Sequence, residues 1–256
     1  MTGFVIAISA LLGLLIGSFL NVVIWRVPRH ESIVSPPSRC PGCEQLIRPY
    51  DNIPVLSWLI LRGKCRNCKT KISARYPLVE AGTAILWGLL AWRFAGSWAL
   101  PAYLVLAAGL VVLSLIDLDT FLLPNRIVYP LTIAVTLLFG VAGVLDGGLG
   151  DFRRALLCGL GVFAVFLLLH LISPRGMGFG DVKFSFVLGV ALGWVSPATA
   201  FLGIFMAFLL GSVVGIALIA TKVKTRKDHV PFGPFMALGT VSALLIGPPI
   251  LRLLAQ

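Results

Sequence analysis

Charge is what this sequence has least of. Only 12% of its 256 residues are charged, against about 25% in soluble globular domains. Acids are scarcest, ten Asp and Glu against 21 Lys and Arg, and there are only three His and five Cys. So little charge excludes a soluble enzyme or a solvated disordered tail, and so few cysteines exclude a disulfide-rich secreted module. No G-x-G-x-x-G follows a strand-like run, which removes a Rossmann cofactor domain. What fills the chain is apolar: 58% hydrophobic residues and a mean hydropathy of +0.99. It reads as an integral membrane protein.

A spanning helix needs about 20 mostly apolar residues. Such runs cover Gly3 to Trp25 and roughly 78–95, 99–116, 127–146, 155–173, 182–195, 198–220 and 233–252. The expected fold is therefore an all-α polytopic membrane protein of about eight transmembrane helices. The run 182–195 is short, so it is expected to be tilted or half-buried between neighbours. The first run lacks a basic leader and stays apolar past Leu20, so it is expected to be a retained span.

With the N-terminus outside, the inside segments 26–77, 117–126, 174–183 and 221–229 hold ten, one, two and four Lys/Arg. Only Arg93, Arg153, Arg154 and Arg252 are left outside. The positive-inside rule then puts both termini outside and the long polar stretch after the first span in the cytoplasm. This asymmetry accounts for the basic balance, and nucleic acid is not an expected partner. The run from Lys222 to Lys227 reads as an anionic-lipid contact and topology anchor.

Four of the five cysteines form two C-x2-C pairs, Cys40/Cys43 and Cys65/Cys68, inside that polar stretch. Two such pairs place four thiolates around one tetrahedral ion, and a segment with so little core needs a staple of that kind. The expected metal is one structural zinc, because four sulfurs leave no open coordination site. The competing reading is two disulfides or a redox pair, which cytoplasmic placement disfavours. Cys158, alone in the fifth span, reads as a packing residue.

Ionisable groups at spans are costly and usually functional. Asp117 ends the third span, two residues before Asp119, and Asp181 opens the sixth within Gly178-Phe179-Gly180-Asp181. The expected topology brings Asp117 and Asp181 to one membrane face. Two carboxylates at one site share a proton, so one activates water while the other polarises a carbonyl. The competing reading is a solvated ion pair with Lys183 or Arg126. Nothing in the spacing of His170 and His229 identifies a ligand set.

Together these residues resemble the type IV prepilin peptidases, GxGD aspartic peptidases that are also N-methyltransferases. The resemblance runs from Gly17–Pro28 through the two cysteine pairs and Arg75–Glu80. It continues over the Asp117 segment with Leu123-Pro124-Asn125, then Gly178–Lys183 and Pro231–Phe235. It implies that the chain cuts the leaders of type IV prepilins and type II secretion pseudopilins at the cytoplasmic face of the bacterial inner membrane. It also implies methylation of the new N-terminus, usually Phe, with S-adenosylmethionine.

The family's spacing to the Leu-Pro step selects Asp117 over Asp119. Neighbours two apart on a helix point about 200° apart, so one of them faces Asp181. The resemblance makes Asn21, Arg26, Arg75 and Glu80 candidates for the methyl-donor site. Glu80 equally reads as a structural ion pair and Asn21 as interhelical glue.

The implied domains are a first transmembrane helix at 1–25, a zinc insert carrying the methyltransferase part at 26–77, and a transmembrane peptidase domain at 78–256. Two alternatives stand beside this one. One is a cleavage-only intramembrane aspartic protease; the other is an ion-coupled transporter, whose signature of repeated halves is not evident.

Overall fold

The computed structural model describes residues 1–174, 176–225 and 228–254, with side chains up to 247. Arg175, Arg226 and Lys227, and the side chain of Arg252, which entered the topology argument, lie outside the described residues. Nine α-helices are described: α1 (Thr2–Arg26), α2 (Leu56–Ile60), α3 (Arg75–Phe94), α4 (Leu100–Thr120) and α5 (Asn125–Leu145), then α6 (Leu149–Ile172), α7 (Phe179–Val195), α8 (Pro197–Ala220) and α9 (Gly233–Leu254). There is no strand among the described residues, only two isolated bridges.

Helices stand at all eight expected runs. Five of them (α1, α4, α5, α6 and α8) are long and apolar enough to cross a membrane. The other three fall outside that criterion. Helix α7 has only 17 residues, α3 carries Glu80 and Arg93 within its length, and the apolar part described for α9 is Gly233–Gly247. Among the described residues, length and composition thus support five crossings.

The chain forms two compact units, Met1–Ala95 and Gly96–Gln256. This division is one of packing; the expected one at 77/78 is one of activity, and packing leaves it open. In the first unit α1 lies against α3 along Ser9, Gly13, Gly17 and Asn21, all buried and four residues apart. A Cβ on Gly13 would sit 2.8 Å from the Ala84 Cα, and one on Gly17 2.7 Å from the Glu80 Cα. Small residues at this period let two backbones approach closely where lipid offers no hydrophobic drive.

In the second unit α7 is the central helix, with α5, α6, α8 and α9 packed on it. Every residue from Val187 to Gly193 is buried, with Val182, Phe184 and Ser185. This is why the short run reads as apolar all round: it faces protein on every side. The far end of α7 is closed by Arg154, whose guanidinium donates to the carbonyls of Gly193 (3.1 Å) and Trp194 (2.6 Å). A cation is well placed at a helix C-terminus. Tyr103 of α4 donates its hydroxyl to the Ala191 carbonyl at 3.0 Å. Cys158 lies where α6 crosses α7, its Sγ 2.9 Å from where a Gly193 Cβ would be, so it packs against a glycine.

Candidate active site and four-cysteine cluster

One end of the second unit gathers the C-terminus of α4, the N-termini of α5, α7 and α9, and the segment before α9. Helix α4 stops three residues after Asp117. Phe121 takes a left-handed conformation (φ 56°) and returns its N–H to the Asp117 carbonyl at 2.8 Å. Asp117 is buried at 5% exposure, whereas Asp119, on the opposite side of the helix, is exposed. Helix α7 starts at Phe179 after the extended Gly178 cap, which places Asp181 in its first turn. Both Asp117 and Asp181 line one cavity of about 910 Å³.

The surrounding glycines are there for space. A Cβ on Gly180 would lie 3.0 Å from the Leu123 Cβ, so the α4–α5 turn rests directly on the start of α7. Pro124 caps α5, and Asn125 receives a hydrogen bond from Lys183 at 2.5 Å. Lys183 is thus engaged with the neighbouring helix. His170, at the end of α6, has its Nδ1 2.8 Å from the Met177 carbonyl and its ring on Phe179. It holds the turn before α7.

Sequence reasoning missed one contributor. The main-chain N–H of Gly233, the first residue of α9, donates to Asp117 Oδ2 at 2.8 Å inside the protein. Every residue has an amide, so no side-chain pattern announces this. The available signal is a lone glycine between Phe232 and Pro234 at the start of an apolar run, which marks a close backbone approach. A Cβ there would lie 2.8 Å from Asp117 Oδ2. Gly233→Ala should therefore push Asp117 aside and, on the role in cleavage expected of Asp117, lower turnover by about 10²-fold, the order expected for a misplacement near 1 Å. Single-turnover kinetics of the folded variant measures this.

The rest of the cavity comes from Phe121, Pro174, Gly176, Gly178, Lys224 and the residues from Asp228 to Phe232. Asp228 is a third carboxylate on this wall but a different one. It accepts from the backbone N–H and the hydroxyl of Thr225, which hold it below the usual carboxylate range and therefore charged.

In the first unit the two cysteine pairs adopt the same turn. The Cys40 N–H donates to Gln45 O and the Glu44 N–H to Cys40 O; Cys65, Thr70 and Lys69 repeat both bonds. Glu44 and Lys69 are both left-handed, and the bridges Arg39–Leu46 and Lys64–Lys71 close the two turns. The four sulfurs lie within 4.8 Å of one another, with Cys40–Cys68 at 3.6 Å and Cys43–Cys65 at 4.0 Å. Disulfide sulfurs would be about 2.05 Å apart. Thiolates around a tetrahedral zinc at about 2.3 Å would be about 3.8 Å apart. The donor set and spacing therefore fit a metal ion. The Thr70 side chain and backbone N–H bring Cys68 down to about 6, whereas, against the Gln45 backbone hydrogen bond, desolvation and hydrogen bonds with the other three thiols push Cys43 up to about 11. Arg66 grips Asp51 with two nitrogens and holds its carboxyl below the usual range, bracing the second turn.

The methyl-donor candidates lie in the same unit as this cluster, and three have internal work. Asn21 Nδ2 donates to Tyr76 O at 3.2 Å, across the α1–α3 pair. Arg26 donates to Ser32 O and Pro36 O. Glu80 Oε2 accepts from the Val55 N–H at 2.7 Å. Arg75 is the first residue of α3.

Comparison with known proteins follows the same two-part division. A model of the bacterial peptidase A24 N-terminal domain matches residues 11–94, and a model of the type IV leader peptidase family matches 104–219. A prepilin leader peptidase/N-methyltransferase of Pseudomonas aeruginosa is 38% identical over 97% of this chain and 92% of its own length. The protein of that description from Neisseria gonorrhoeae is 38% identical over 95% and 90%, and that from Myxococcus xanthus 41% over 81% and 61%. No solved structure matches.

Proposed function

Because this chain belongs to the type IV leader peptidase family, we propose that it removes the leader from type IV prepilins and type II secretion pseudopilins and then N-methylates the new N-terminus. The observation that carries this is the meeting of Asp117 and Asp181 in one cavity, from the ends of two different helices. Such a pair shares one proton. The ionised carboxylate takes a proton from water as the water oxygen attacks the scissile carbonyl carbon, and the protonated one gives its proton to the carbonyl oxygen. When the C–N bond breaks, the leaving nitrogen takes up a proton, yielding an acid and a free amine. The Gly233 amide fixes the oxygen of Asp117 that it holds, leaving the other for this exchange.

Methyl transfer follows, since cleavage creates the amine that accepts the methyl group from the sulfonium of S-adenosylmethionine; that amine loses a proton. We assign cleavage to 78–256 and methylation to the region of the insert 26–77, with one structural zinc on Cys40, Cys43, Cys65 and Cys68. Asn21, Arg26, Arg75 and Glu80 are the candidates for binding the methyl donor, in the same unit as the insert. The basic asymmetry of the loops supports an inner-membrane protein with both termini outside and the carboxylates and cysteines on the cytoplasmic side.

Mass spectrometry of a prepilin incubated with the purified protein and S-adenosylmethionine tests the reading. The expected product is leader-free and one methyl group heavier. Cleavage without methylation, where a bifunctional relative methylates in the same assay, would make this a protease alone. An intact substrate together with proton-coupled uptake would make it a transporter.

A further inference from the structure

We propose that α2 and the basic residues after it are a lipid-binding element, seated at the headgroup–acyl boundary of an anionic bilayer. The inference is independent of the aspartate chemistry. Leu56, Leu59 and Ile60 are 56%, 57% and 74% exposed, with Ile53 at 47% beside them. Their i, i+3, i+4 spacing puts the first three on one face. The inward side of α2 is satisfied by protein: Ser57 Oγ donates to Tyr50 O and Trp58 Nε1 to Ile72 O. An apolar face this exposed on a small polar insert calls for an apolar surface to cover it.

The depth of α2 identifies that surface. Val55, immediately before α2, donates its N–H to Glu80. Glu80 lies about 7.5 Å along the axis from the start of α3. Its side chain leans back toward that start, as helical side chains do. The bond from Asn21 to Tyr76 O sets these same turns beside the end of α1. There Trp25 is 57% exposed under the Arg29 guanidinium, 3.6 Å from its ring, and Tyr76 is 47% exposed. Exposed Trp and Tyr at the end of an apolar helix mark the membrane–water boundary. The apolar face of α2 is therefore held at interfacial depth.

Charge selects the kind of lipid. Residues 26–77 carry ten Lys/Arg against Glu31, Glu44 and Asp51, and Arg62 and Lys64 follow α2 directly and are exposed. An apolar face flanked by basic residues is the pattern of a segment lying in an anionic interface.

The test places a photoreactive benzoylphenylalanine at Leu59 in the full chain, reconstituted in phosphatidylcholine vesicles with and without phosphatidylglycerol. Illumination should give a lipid adduct, in higher yield with phosphatidylglycerol, whereas the probe at exposed Gln45 should give little. Retained metal on the probe-bearing protein shows that the insert is folded, and Ile60 serves as the second probe position if Leu59 is not tolerated. An adduct to protein (another part of the chain, a second copy or an added prepilin), or no lipid adduct from a folded insert, would overturn the proposal.

Discussion

Asp181→Asn should insert into the membrane and fold normally yet lose prepilin cleavage, by about 10²–10⁴-fold or more, the range set by removing a positioned acid or base. Asn matches Asp in shape but cannot hold the proton that the proposed mechanism has the pair share. Asp117→Asn should do the same, because its carboxylate is the one buried against the Gly233 amide. Asp119→Asn is the control: it is exposed and does not line the cavity, so cleavage should stay near the parent rate. A pre-cut substrate should still be methylated by the Asp181→Asn protein, since the cysteine cluster belongs to the other unit. Robust cleavage by that variant would sink the assignment of the pair.

The second large effect concerns the metal. Purified protein should contain about one zinc per chain, and Cys40→Ser or a strong chelator should remove it and unfold the insert. Structural zinc in small domains supplies roughly 10–16 kcal/mol of apparent binding free energy. The insert has little to replace it, with Ile53, Leu56, Leu59 and Ile60 all turned outward. Methylation should then be lost, while cleavage falls much less because both aspartates lie in 96–256. Metal analysis with thiol titration decides the matter: metal-free protein with four oxidised cysteines would refute the cluster.

Much of this was legible in residue order. Apolar runs located the helices, because burying backbone polar groups in lipid leaves helix formation as the way to satisfy them. The two C-x2-C pairs announced their cluster, since a chelating turn needs that short spacing. Asp117 and Asp181 stood out because acids are so rare near apolar runs. Less was legible in the helices' surroundings. The shortness of the run 182–195 suggested a tilted or half-buried helix, but nothing in its composition says that four helices enclose it.

What the sequence by itself determined, then, is the membrane class, the helical content, the cysteine tetrad and the identity of the scarce acids, all of which depend on local composition and short spacing. Tertiary structure alone decided how those parts engage. It turned Asp117 inward and Asp119 outward, and brought the Gly233 amide, 116 residues away, onto Asp117. It also committed Asn21 and Glu80 to backbone groups of Tyr76 and Val55. A main-chain donor carries no residue-type signature, and a polar side chain does not reveal its partner until the helices pack. These contacts exist only once distant segments have met.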